Sequence, residues 1–384
     1  MSGLRSRIEG LMQGDGSSAC DPLAGALKPV AAVYGAVGRL RAALYRRGIL
    51  RPRKLPCPVI AVGNLTVGGT GKTPMAIHVA GLLQQMGYRV AVISRGYRGR
   101  AEKAGGVVSD GADVLMTAAE AGDEPYLMAV QLPGVPVIVG RNRYQAGCRA
   151  LAAFGVDILV LDDAYQHLQL ARDLNLLLLD QAAPFGNGQV VPRGLLREPL
   201  AALARADAVI FTRAGPAGAP APSQPPLPGL RAGAALFRCD HRVYLSGIVA
   251  AGRCELAAAH CPAAAGPQGL PTVAFSGIAR NDDFLRTLAG LGVNITASLA
   301  YPDHHPYSAK DFDQIRRVAR ETGARQLATT HKDFVRIQTR CDWPLPLAVV
   351  GVKIDFGDQA EAFYAFIRRQ AADFFLAGAV SRVG

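Results

Sequence analysis

From Pro58 onward the chain repeats one rhythm: a short unbroken apolar run, a polar or glycine-rich break, then an amphipathic stretch. "PVIAVGNL", "RVAVISRG", "PVIVG", "VDILVLDD", "LNLLLLD" and "DAVIFTR" are the apolar runs. Rich in β-branched residues and leucine and without polar alternation, they predict strands covered on both faces, as in a parallel sheet with helices on each side. "KTPMAIHVAGLLQQMG", from Lys72, predicts a helix closed by Gly87. Ligands of such sheets bind at the carboxyl ends of the strands, so the polar clusters after the runs are where chemistry is expected.

The rhythm breaks at 214–230, "AGPAGAPAPSQPPLPGL", where Pro, Ala and Gly can hold neither helix nor central strand. A junction there divides a core of 55–213 from a smaller C-terminal α/β unit of 231–384. That unit holds a loop-like stretch at about 251–270, the strand "PTVAFSGI" and the segments "DDFLRTLAGLG", "SAKDFDQIRRVARETG", "QLATTHKD", "PLAVVGV" and "QAEAFYAFIRRQAADFFLAG". Ahead of the core, 22–47 predicts a helix with Val30, Val33, Tyr34, Val37, Leu40 and Leu44 on one face. Arg39 and Arg46 fall opposite and Arg41 falls on the apolar face. The spacing fits either a helix lying in a membrane interface or one packed on the body.

Half of the 384 residues are apolar and 19% are charged, which suits a compact fold with a real core. Charge sharpens the reading of the N-terminus. Of the net +12, residues 1–54 carry ten Lys or Arg less three acidic residues, leaving +7. A basic, amphipathic 1–54 segment points to an anionic surface. With few aromatics interleaved, that surface is expected to be lipid rather than nucleic acid. No protein partner is evident. Lys28 and Arg39 bracket only ten uncharged residues, too few for a signal peptide core or a membrane span. Seven cysteines without a CxxC pair predict free thiols, and Cys254, His260 and Cys261 match no standard zinc spacing.

The first polar cluster is "GNLTVGGTGKTP". Thr66 stands where the strict Walker pattern has glycine, yet a buried strand precedes and a helix follows. The backbone amides of Gly68, Gly69, Thr70, Gly71 and Lys72 can therefore wrap a polyphosphate at a helix N-terminus. Lys72 would neutralise the β- and γ-phosphates, and the Thr73 hydroxyl would face Mg²⁺. "DILVLDD" delivers Asp162 and Asp163 at a strand end, as a metal-binding acid requires. "GDEP" sets Asp123 and Glu124 at a helix start, either as caps or as a base for an acceptor hydroxyl. Arg141 and Arg143 follow a strand and could clamp phosphate, and Asp303, His304 and His305 share a turn in "YPDHHPYS". The fold expected is a P-loop NTPase-like parallel sheet sandwiched by helices, with a second, smaller α/β domain.

In order along about 30–335, "GNLTVGGTGKTP", "ISRGYRG", "GDEPYLMA", "VGRNRYQA", "LDDAYQH", "PFGNGQVVPRGLLREPL", "ADAVIFTR", "FSGIARNDDFLRTL", "YPDHHPYS" and "TTHKD" resemble the tetraacyldisaccharide 4′-kinase family of lipid A biosynthesis. The resemblance implies transfer of phosphate from ATP, with Mg²⁺, to the 4′-hydroxyl of an acylated disaccharide 1-phosphate at the cytoplasmic face of the inner membrane. It implies Asp123 as general base, His304 as its partner (His305 being the other histidine in reach) and Asp162 and Asp163 as the metal acids. Lys72 and Thr73 would serve the phosphates. Gly63 would stand for the loop glycine missing at Thr66. The chain departs from the family's usual residues at Ala164-Tyr165, His331 and Arg213. The competing expectation is a membrane-recruited P-loop ATPase or GTPase switch, although no guanine-reading motif follows "VIFTR".

Overall fold

In the computed structural model, residues 10, 12, 22–215, 225–251, 269–278, 280–338 and 343–380 are described. The larger sheet has eight strands: β1 (Val59–Asn64), β2 (Val90–Ser94), β3 (Gly106–Ser109), β4 (Val137–Val139), β5 (Ile158–Leu161), β6 (Leu174–Asp180), β7 (Ala208–Thr212) and β8 (Ala235–Arg238). Their order across the sheet is β3-β4-β2-β5-β1-β6-β7-β8, parallel except for β3 against β4. The strand leading into the glycine loop is central. β5, which ends at the two aspartates, hydrogen-bonds directly to it.

Each central strand is buried on both sides, which is why its sequence shows no polar alternation. Ile60 and Val62 of β1 enter one core with Met75, Val79 and Leu83, while Val59 and Ala61 enter another with Leu159, Leu161 and Ala150. After α1 (Pro22–Arg46), the covering helices are α2 (Lys72–Gln85), the short α3 (Ala118–Ala121), α4 (Asp123–Gln131) and α5 (Arg143–Phe154).

A second sheet of five strands comprises β9 (Asp240–Val249), β10 (Pro271–Ser276), β11 (Asn294–Ala300), β12 (Gln326–Thr330) and β13 (Leu347–Asp355), in the order β11-β10-β12-β13-β9. With it run α6 (Asn281–Gly290), α7 (Ala309–Glu321), α8 (His331–Ile337) and α9 (Ala360–Val380). The chain changes sheets at Cys239, since β8 pairs with β7 and β9 pairs with β13. It returns through α9, whose Phe363, Phe366, Ile367 and Ala371 sit in the core of the first sheet. The seam between the sheets is lined by α4 against α8 and by α2 against β13.

The N-terminal helix resolves the two readings of its periodicity in an unexpected way. It packs on the body through its small residues Ala24, Ala31 and Gly35, and Tyr34 Oη donates to the Arg197 carbonyl at 3.0 Å. The apolar stripe is left outside, with Val33, Val37 and Leu40 each more than 60% exposed. Cys254, His260, Cys261 and most of 214–230 lie outside the described residues. Cys57, Cys148 and Cys239 are free thiols.

Candidate active site

The loop between β1 and α2 is shaped by its glycines. Gly71 takes φ +84° immediately before α2 and Gly68 takes φ +120°, torsions that a side chain would strain. The His241 ring stands against Gly71, so packing also excludes a Cβ there. Thr66 needs no left-handed torsion because it forms an isolated antiparallel bridge with Leu196, while Arg197 N donates to the Leu65 carbonyl at 2.7 Å. Gly63 has a different duty from a loop glycine. It lies within β1, where a Cβ would come within 2.8 Å of the Tyr165 backbone nitrogen.

Lys72 opens α2 with its Nζ 3.4 Å from the Gly68 carbonyl and 3.8 Å from Asp163 Oδ1. Thr73 follows, half-buried in the first turn, and Thr70 is buried with an unpartnered hydroxyl. Beyond the loop, Arg213 donates to the Gly69 carbonyl and, at 2.7 Å, to Asp180, which Arg280 also reaches at 2.9 Å. Asp283 stands 3.7 Å from Arg280 as well, so the two guanidiniums are matched by two carboxylates.

Asp162 and Asp163 end β5 next to this loop. Asp163 takes φ +46°, a strained torsion for a non-glycine residue of the kind that clusters at functional sites. The same Arg197 nitrogen donates to both its oxygens, at 2.8 and 2.9 Å. Burial pushes the Asp163 carboxyl up, but Lys72 and Arg197 outweigh it and hold the group below its ordinary value. Asp162 is 1% exposed, accepts from Ser94 Oγ at 3.3 Å through Oδ2, and leaves Oδ1 buried without a partner. Burial, then the nearby charges of Glu124 and Asp163, raise it to about 8.

A buried carboxylate with an orphaned oxygen, beside a phosphate-shaped loop, is what a divalent cation shared with nucleotide phosphates would satisfy. The residues present therefore fit Mg²⁺. Among the described residues no cluster of three or more His, Cys, Asp or Glu could hold a metal by itself. Arg143 is 4% exposed; burial lowers it to about 10, opposed by Asp162 and Asp163, and it donates to the Gly140 carbonyl at 3.0 Å. Arg141 is exposed.

Across the seam, Asp123 at the first position of α4 meets His304 from the β11–α7 turn, with Oδ2 2.9 Å from Nδ1. His304 itself takes φ +61°. Arg336 of α8 donates Nε to the same Asp123 oxygen at 2.7 Å and NH1 to buried Asp333 at 2.9 Å. Burial raises the Asp123 carboxyl, but the His304 hydrogen bond and the Arg336 charge bring it below its ordinary value. His305 turns away and contacts Asp311 at 3.1 Å. Lys332 Nζ stands 3.2 Å from His304 Nε2, 3.5 Å from Asp303 and 3.7 Å from Glu124. The sequence alone assigns no role to Arg197, Lys332 or Arg336. The only signal was that two of its family-like segments, "PRGLLREPL" and "TTHKD", contain or adjoin them.

A central parallel strand, a glycine loop at a helix N-terminus and an acidic pair on the adjoining strand define the P-loop NTPase-like class of α/β folds. The family model described as tetraacyldisaccharide-1-P 4′-kinase matches residues 23–372. The tetraacyldisaccharide 4′-kinase of Desulfatibacillum aliphaticivorans is 43% identical over 96% of this chain and 98% of its own length. That of Pelobacter propionicus is 46% identical over 81% and 82%. The crystal structure of LpxK from Aquifex aeolicus in complex with ATP superposes with a TM-score of 0.71 at 31% identity, covering 91% of this chain and 99% of that one. The chain belongs to the tetraacyldisaccharide 4′-kinase family.

Proposed function

We infer that the protein is an ATP-dependent kinase of lipid A biosynthesis, transferring phosphate to the 4′-hydroxyl of a tetraacyldisaccharide 1-phosphate. Family membership supports the activity, and it disfavours a switch ATPase without a lipid substrate. The observation that carries the mechanism is the Asp123–His304 contact, in which a carboxylate on the nucleotide loop's side of the seam meets a histidine from the other side.

The loop amides from Gly68 to Lys72 hold the polyphosphate, and the Lys72 ammonium neutralises charge on its terminal oxygens. Asp162 Oδ1 and the Thr73 hydroxyl are the protein groups that would hold Mg²⁺. When bound, the cation would supply neutralisation of phosphate charge. Asp163 keeps Lys72 and Arg197 in place. Asp123 accepts the hydroxyl proton as the sugar oxygen attacks in line. Arg141, being exposed, is the better placed of the two arginines for the acceptor's 1-phosphate, while buried Arg143 lends its charge to Asp162 and Asp163.

We assign the outer stripe of α1 to an anionic bilayer surface at the cytoplasmic face of the inner membrane. Its support is the row of exposed apolar residues beside a basic segment. Among the described residues no helix is long and apolar enough to cross a membrane. The test of the activity is transfer of labelled γ-phosphate from ATP and Mg²⁺ to a detergent-solubilised disaccharide 1-phosphate. Lipid-dependent labelling is expected. Phosphate release indifferent to the lipid would overturn the reading.

A further inference from the structure

The "TTHKD" stretch and the helix it opens contribute three charged side chains to the Asp123 site, and the mechanism above leaves all three unused. Lys332 and Arg336 lie one turn apart on α8. Arg336 is nearly buried, its side chain 9% exposed, and is anchored by fully buried Asp333 and by the Gly277 carbonyl at 3.3 Å. Thr330 caps the helix by accepting from Asp333 N at 3.0 Å, so both cations start from a fixed end.

His304 is bounded by a carboxylate on one nitrogen and an ammonium on the other. Asp123 Oδ2 lies 2.9 Å from Nδ1 and can only accept; Lys332 Nζ lies 3.2 Å from Nε2 and can only donate. A neutral imidazole satisfies both contacts in one form alone, with its proton on Nδ1 and its lone pair on Nε2. The other tautomer would set a lone pair against a carboxylate and an N–H against an ammonium. The Arg336 NH2 group, 3.2 Å from Nδ1, and Asp303 Oδ2, 3.8 Å from Nε2, suit the opposite tautomer, but the shorter Asp123 contact on Nδ1 and the Lys332 contact on Nε2 outweigh them.

We propose that Lys332 and Arg336 are positioning residues of the base: Lys332 selects the Nδ1–H tautomer of His304, and Arg336 with His304 pins Asp123 Oδ2. The contacts from His304 and Arg336 converge on Asp123 Oδ2, which leaves Oδ1 to take the acceptor proton. In that step the hydroxyl O–H bond breaks, its proton goes to Oδ1, and its electron pair forms the bond to the γ-phosphorus as the bond to the ADP oxygen breaks. The assignment of the step rests on the kinase reading; the assignment of the tautomer does not.

The test is nitrogen-15 NMR of histidine-labelled protein, free of nucleotide and lipid, with His304 assigned through His304→Gln. The expected wild-type result is a protonated Nδ1 and an unprotonated Nε2. Lys332→Met should mix the tautomers and lower kcat by at least about tenfold with KM for ATP unchanged, and Lys332→Arg should restore most of both. A wild-type proton on Nε2 overturns the proposal even if every variant fails to fold. So does Lys332→Met with the wild-type tautomer, whether or not its kcat falls. A wild-type protein that never labels the lipid would refute the kinase reading and leave the tautomer result standing.

Discussion

Asp162 and Asp163 are consecutive in the chain and differ in what they face: Asp163 is gripped through both oxygens by Arg197, while Asp162 holds one oxygen buried and unpartnered. Asp162 is therefore the carboxylate with room for a cation. Asp162→Asn should weaken Mg²⁺ binding in the presence of a non-hydrolysable ATP analogue and cut kcat by on the order of a hundredfold. Asp163→Asn should spare the metal and disturb Lys72 and Arg197. Calorimetric titration of Mg²⁺ into both variants decides, and a larger metal defect in Asp163→Asn would reverse the assignment.

The raised Asp162 carboxyl also fixes a sign. Its folded value of about 8 lies above an unfolded value of about 3.9, so the folded state binds the extra proton between them. Stability of the metal-free protein from this group is then lost as pH rises from about 4 to about 8. Melting temperatures in chelator at pH 5 and pH 8 should differ more for the wild type than for Asp162→Asn. Equal differences would remove Asp162 as the cause.

Base and phosphate binder should separate kinetically. Asp123→Ala is expected to lose about 10²–10⁴-fold in kcat with ATP affinity kept, because the carboxylate acts on the acceptor. Lys72→Ala should damage both turnover and ATP affinity. Equal loss of ATP binding in the two would sink the base assignment.

Gly63→Ala probes packing in the central strand. The added Cβ would meet Tyr165, whose ring is fully buried and whose hydroxyl donates to the Ala202 carbonyl at 2.7 Å. A destabilisation of about 1–3 kcal/mol is expected from such overpacking. Chemical denaturation reads it directly, and an unchanged midpoint would mean that Tyr165 can retreat.

The outer face of α1 is tested by charge. Val37→Glu together with Leu40→Glu should leave the fold intact, both side chains being over 60% exposed, and reduce sedimentation with anionic vesicles several-fold. Undiminished sedimentation would move the membrane contact elsewhere.

Much of this was legible in the chain because it is written in local pattern. Unbroken apolar runs gave β1, β2 and β4 to β7, and the glycine loop and paired aspartates declared themselves by following such runs. What escaped had weaker local signals. β3 is a four-residue antiparallel edge strand, and β8 and β9 are only partly buried, so their sequences carry no continuous apolar signal. α1 showed its apolar stripe plainly, but the face that binds the body is made of Ala and Gly, which periodicity does not weigh. Arg336 reaches Asp123 across 213 positions and Arg197 reaches Asp163 across 34. Such pairings depend on two segments meeting in space, and neither segment alone announces the other. The Asp123–His304 pair was expected only through family likeness, for the same reason.

The route of the chain between the sheets bears on when the protein can react. It enters the second sheet at Asp240 and leaves it at Asp355, and these two residues are paired partners on adjacent antiparallel strands. Both crossings thus sit side by side on one edge, like the two knuckles of a door hinge, while Asp123 and His304 meet across the gap between the leaves. A swing about that edge would part the carboxylate from its histidine without breaking either sheet. ATP held on the open leaf would then face an incomplete base, and spilling its phosphate to water would be disfavoured until the leaves had shut.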